Sequence, residues 1–190
     1  MQSLPWLLVW FRLAMGFVLL ADASDGHTGW PFVVGLMAAL LSDILDGILG
    51  RRTGTATVAL RRADSWVDAT LFVLVAIGAW LSHREVLLAH QPLLVTMLVL
   101  FVLSQIPSFL RFGKAAAFHA YSAKAMGLAF IPAGILLFGL GRGGWLLDLA
   151  MLAAIISHID RALIALILPE WQTDIVWFGE ALRIRREARG

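Results

Sequence analysis

The chain has 190 residues, of which 60% are hydrophobic and only 15% charged, with a mean hydropathy of +0.83. A water-soluble domain of this size carries far more charge, so the composition excludes an ordinary soluble fold and indicates an integral membrane protein. The formal charge of +2 calls for no nucleic-acid partner, and the absence of cysteine excludes disulfides and thiolate metal sites.

A membrane span needs about 20 mostly apolar residues. Six segments qualify: 5–21, 30–49, 65–82, 92–110, 124–140 and 145–168. The first imitates a cleavable signal, because an apolar run leads into Ala21-Asp22-Ala23. It has no basic leader, however, and Arg12 interrupts it, so a retained span is expected. Asp22–Gly29 reads as a polar turn, Arg51–Asp64 as a basic loop and Ser82–Gln91 as a second polar turn. Arg111–Ala123 reads as another basic loop and Gly141–Gly144 as a glycine turn, and Pro169 ends the sixth span. Beyond it, Trp171–Gly190 mixes apolar and basic residues as an amphipathic tail on an anionic membrane surface does. With no internal repeat, residues 1–190 are expected to form a single all-α membrane domain of six spans with short loops and this tail.

Orientation follows from lysine and arginine. The two basic loops and the tail hold eleven of them (Arg51, Arg52, Arg61, Arg62, Arg111, Lys114, Lys124, Arg183, Arg185, Arg186, Arg189), and the opposite loops hold Arg84 and Arg142. Both termini and both basic loops are therefore expected in the cytoplasm. Tryptophans at both ends of the spans, such as Trp10, Trp66, Trp30 and Trp145, fit an aromatic belt.

The residues that can carry chemistry cluster in Ser42–Asp68, SDILDGILGRRTGTATVALRRADSWVD. Asp43 and Asp46 are three apart and Asp64 and Asp68 four apart, which puts each pair on one helix face. Asp43 lies about 10 Å inside the second span at about 1.5 Å per residue, where a bare carboxylate costs roughly 3 kcal/mol or more. Two divalent cations balance four such charges, and carboxylate oxygens are the hard ligands that Mg²⁺ or Mn²⁺ prefers. Gly47 and Gly50 remove bulk from the same face, and Arg51 and Arg52 stand at its end, where a guanidinium can grip phosphate oxygens.

With these spacings the stretch resembles the signature of the CDP-alcohol phosphatidyltransferases: Asp-x-x-Asp-Gly-x-x-Ala-Arg, eight residues, Gly, three residues, Asp, three residues, Asp. Asp43, Asp46, Gly47, Arg51, Asp64 and Asp68 stand in register; Gly50 replaces the alanine and Leu60 the second glycine. Pro5-x-x-Leu8-x-x-x-Arg12 is similar to the family's opening Pro-Asn-x-Leu-Thr-x-x-Arg.

The resemblance implies transfer of a phosphatidyl group from a CDP-lipid such as CDP-diacylglycerol to an alcohol hydroxyl, with release of CMP. Asp43, Asp46, Asp64 and Asp68 would hold two Mg²⁺ or Mn²⁺ ions, with Asp68 as general base. Asp43, Gly47, Gly50, Arg51 and Asp64 would line the nucleotide. For the acceptor, which the basic second loop suggests is phosphorylated, Arg111, Lys124 and Arg161 are candidates. Lys114 and His119 read as a solvated part of that loop. His158, Asp160 and Arg161 are charged or polar groups in the sixth span, where pairing is the default, and Arg12 is a candidate partner for Asp160. His83, Arg84, Glu85, Asp148, Asp22, Asp25 and His27 read as solvated ends. Small residues in the spans leave room for a homodimer in the bilayer. The rival readings are a transporter or channel using the intramembrane charges, and a catalytically impaired family member acting as a partner subunit, for which Leu60 is the sole support.

Overall fold

A computed structural model describes residues 4–53, 57–114, 118, 120–172 and 175–188; at 50–53, 58, 61, 62 and 65 it describes the backbone alone. The described chain is helical: α1 (Leu4–Ala23), α2 (Trp30–Thr53), α3 (Val58–Ala89), α4 (Gln91–Leu103), α5 (Ile106–Phe112), α6 (Tyr121–Leu140), α7 (Gly144–Ile167) and α8 (Phe178–Glu187). Six stretches are long and apolar enough to cross a membrane: Leu4–Ala23, Trp30–Leu49, Trp66–Ala89, Gln91–Phe112, Tyr121–Leu140 and Gly144–Ile167. The protein is thus an all-helical, multi-pass membrane protein, as its composition requires. Leu7, Trp10, Val18, Val34 and Phe72 are exposed, which suits side chains that meet lipid.

Two expected connections are shorter than the hydropathy implies, and one expected span is interrupted. The basic loop shrinks because α2 runs on to Thr53 and α3 begins at Val58, taking both arginine pairs into helical backbone. Arginine is a good helix former, so charge ends the apolar run without ending the helix. The turn expected at Ser82–Gln91 is likewise helical to Ala89, with a kink at His83 (φ −133°, ψ 32°). His83 is not a solvated end: its Nε2 lies 2.6 Å from Thr28 Oγ1, which itself donates to the Phe138 carbonyl at 2.9 Å. The fourth span is broken between α4 and α5, just before Pro107 in the first turn of α5, since proline cannot donate the backbone bond that would continue the helix. Pro169 acts as expected: Leu168 before it is extended (ψ 133°) and α7 stops at Ile167.

The chain packs as two compact units, Met1–Leu87 with Ile135–Arg142, and Leu88–Gly134 with Gly143–Gly190. In the first, α1, α2 and α3 approach closely through glycines. A Cβ at Gly16 of α1 would stand 3.0 Å from Leu74 of α3, and one at Gly35 of α2 would stand 3.0 Å from Leu19 of α1. Lipid offers apolar side chains no hydrophobic gain on packing together, so such small residues set how near membrane helices can come. Near one end of these helices, Val9, Leu60 and Val67 are buried together, with Trp6, Leu13 and Ala63 against them; near the other, Phe32 stacks on Phe138 at 4.2 Å.

In the second unit α7 packs against α4, α5 and α8. Ala181 of α8 is fully buried with Ile164, Ala165 and Leu168, and Phe178 and Ile184 pack on the same cluster. The apolar face of the tail therefore lies on the end of α7, whereas the sequence alone suggests that it meets the lipid surface. Glu180 accepts from the Val176 amide at 3.0 Å, and the Val176 carbonyl accepts from the Tyr121 amide at 2.8 Å, tying the tail to the start of α6.

Candidate active site

The first unit gathers the four signature aspartates. Helical spacing puts Asp43 and Asp46 on one face of α2, and Asp64 and Asp68 on one face of α3. Oxygens of Asp43, Asp64 and Asp68 all lie within 4.8 Å of one another. At their centre stands a residue that the signature does not include. Arg12 of α1, 0% exposed, directs Nη1 at Asp64 Oδ1 (2.7 Å), Asp43 Oδ1 (3.2 Å) and Asp68 Oδ1, and Nη2 at Asp46 Oδ2. Asp46 is buried with it, whereas the side chains of Asp43 and Asp68 are both 45% exposed. Among the described side chains, four carboxylates against one guanidinium leave a formal surplus of three negative charges.

A divalent cation fits this donor set. Carboxylate oxygens are the hard donors that Mg²⁺ or Mn²⁺ prefers, and three residues here bring such oxygens near one another. Arg12 Nη1 contacts the same three side chains. The expected pairing of Arg12 with Asp160 is replaced by these contacts, and Asp160 instead accepts from the Ser122 hydroxyl at 2.6 Å. The signal for Arg12 was present in its position within an apolar span, but which carboxylates it meets is decided by the packing of α1 on α2 and α3.

Gly47 is half-buried on α2, one residue beyond Asp46. Gly50 and Arg51 follow on the same helical backbone; their surroundings lie outside the described residues, as do the side chains of Arg52, Arg61 and Arg62 and all of His119. Leu60, at the position of the signature's second glycine, is 7% exposed and its side chain belongs to the apolar cluster with Val9 and Val67.

The acceptor candidates all lie in the second unit, in different settings. Arg111 Nη1 donates to the carbonyls of Ala165 (2.7 Å) and Leu166 (2.5 Å), near the C-terminal end of α7. Lys124 is exposed, with Nζ 5.3 Å from the Tyr121 ring. Arg161 is half-buried on α7, and among the described residues no carboxylate pairs with it. One turn earlier His158 is buried, its ring edge-on to Phe101 at 5.5 Å and its Nδ1 without a hydrogen-bond partner among the described residues. Lys114, expected to be solvated, places Nζ 4.5 Å over the Trp171 ring. His90, just before α4, places Nδ1 2.6 Å from Oδ1 of Asp148 on α7, so Asp148 is not simply a solvated end.

Six stretches long and apolar enough to span a membrane, with a carboxylate cluster on two consecutive helices, define a membrane protein with an acidic site inside its spans. The family model for CDP-alcohol phosphatidyltransferase matches residues 2–171, and the chain belongs to that family. Its general activity is that of a membrane transferase of lipid biosynthesis moving a phosphatidyl group from a CDP-alcohol, in a family that generally uses divalent metal ions. Comparison with curated proteins and with solved structures found no match.

Proposed function

We propose that the protein transfers the phosphatidyl group of CDP-diacylglycerol, or a related CDP-lipid, to the hydroxyl of an alcohol and releases CMP. The observation that carries this reading is the convergence of Asp43, Asp46, Asp64 and Asp68 on one small basin in a chain of this family. These four side chains would hold two Mg²⁺ or Mn²⁺ ions, which when bound neutralise the pyrophosphate and the departing CMP. Asp43, Gly47, Gly50, Arg51 and Asp64 would line the nucleotide.

Asp68, half exposed at the edge of the basin, acts as the general base. It takes the proton of the acceptor hydroxyl as that oxygen bonds to the lipid-side phosphorus. The bond from that phosphorus to the bridging oxygen breaks, and CMP leaves with its electron pair. Such a transfer needs chiefly positioning and charge neutralisation, both of which fixed carboxylates on packed helices supply.

The acceptor is a phosphorylated alcohol in this reading, bound by Arg161 with Arg111 and Lys124 as helpers. Arg161 has the strongest claim of the three, because Arg111 already serves the α7 carbonyls and Lys124 is exposed. The whole chain works as one catalytic domain, with basin and termini on the cytoplasmic side; the lysine and arginine distribution supports that orientation. A homodimer is compatible with the small residues of the spans. Against the impaired-subunit alternative, Leu60 packs in an apolar cluster with Val9 and Val67, which gives it a role in packing.

Purified protein in detergent, given CDP-diacylglycerol, Mg²⁺ or Mn²⁺ and a panel of alcohols and alcohol phosphates, should release CMP with at least one acceptor. Asp68→Asn should lower the rate about a thousandfold, as expected for a lost general base. Release that survives both a chelator and Asp68→Asn would overturn the mechanism.

A further inference from the structure

Arg12 comes from α1, the one helix of the basin that carries none of the four aspartates. Its Nη1 contacts one oxygen each of Asp43, Asp64 and Asp68, the three residues whose oxygens lie within 4.8 Å of one another. A guanidinium nitrogen and a divalent ion drawing on these same three carboxylates compete for them and repel as like charges.

The arginine is also imperfectly satisfied there. Nη1 has two hydrogens for three carboxylates, and the buried Nε has no acceptor among the described residues. An arginine whose permanent role was structural would be expected to spend its five donors on well-matched acceptors, as a buried charge normally must.

We infer that Arg12 is a displaceable counter-cation: it neutralises and gathers the aspartates before loading, and gives up Nη1's place to the incoming divalent ion. This rests on the reading of the basin as a divalent-metal site and adds a positioning residue to it. Measured metal affinity is then a net quantity, since each ion that enters must break contacts between Arg12 and the carboxylates.

The test is a calorimetric titration of the purified protein with Mn²⁺ at about pH 8, where carboxylates are ionised, beside melting temperatures with and without the ion. Arg12→Gln removes the competitor, so Mn²⁺ should bind about tenfold tighter or better, the size of one lost charge-assisted contact. Without metal the variant should melt below wild type, and Mn²⁺ should raise its melting temperature by more than it raises that of wild type. If Arg12→Gln does not fold without metal, Arg12→Lys serves: one ammonium spans fewer carboxylates, and Mn²⁺ should again bind more tightly than to wild type. Equal or weaker Mn²⁺ binding by the folded variant, with wild type binding normally, overturns this inference alone. No Mn²⁺ binding by wild type overturns it together with the metal-site reading.

Discussion

The two units of the chain both carry charge inside membrane spans, and they satisfy it in opposite ways. In Met1–Leu87, four carboxylates from α2 and α3 share one buried guanidinium, so among the described side chains of the basin negative charge is in surplus and a cation suits it. In Leu88–Gly134 with Gly143–Gly190, Asp160 is met by a neutral hydroxyl and Arg111 by helix carbonyls, while Arg161 has no carboxylate partner among the described residues. There the surplus is positive, and an anion suits it. The proposed reaction would use both: cations for the pyrophosphate of the donor, and a positive site for a phosphorylated acceptor.

That contrast can be broken at its scaffold or at its charges. The largest expected effect is Leu60→Gly. Emptying a buried leucine site costs about 2–5 kcal/mol, and glycine within a helix about 1 kcal/mol more. The variant should lose about 3–6 kcal/mol of stability, read as a lower melting temperature in detergent. A gain in CMP release without loss of stability would mean that Leu60 obstructs the nucleotide instead of packing α3 against α1.

A smaller, more selective effect is expected at the positive site. Arg161→Gln should raise KM for a phosphorylated acceptor about tenfold to a hundredfold, as lost charge-assisted hydrogen bonds do, and leave the CDP-diacylglycerol dependence unchanged. An equal effect on an uncharged alcohol would assign Arg161 to stability and not to anion binding.

Much of this was legible in the sequence because it is local. The spans follow from apolar length, and the face-sharing of Asp43 with Asp46 and of Asp64 with Asp68 follows from helical period alone. The helical course of Arg51–Thr53 and of Arg84–Ala89 was not legible, because hydropathy marks where lipid ends and says nothing about whether hydrogen bonding continues. The α8 helix showed its apolar face in sequence, but not that Ile164, Ala165 and Leu168 cover it. Arg12 was visible as an odd charge, yet its partners lie 31 to 56 residues away and depend on close helix packing through Gly16 and Gly35. Tertiary charge pairing is where local pattern runs out.

The central claim is that the four aspartates form one divalent-metal basin. It is tested most directly by counting Mn²⁺ ions bound per chain, by electron paramagnetic resonance on detergent-purified protein in the presence of CDP. The account predicts two ions in wild type and a lost site in Asp43→Asn. Wild-type protein that binds no Mn²⁺, or an Asp43→Asn variant that still binds two ions with unchanged affinity, would contradict it.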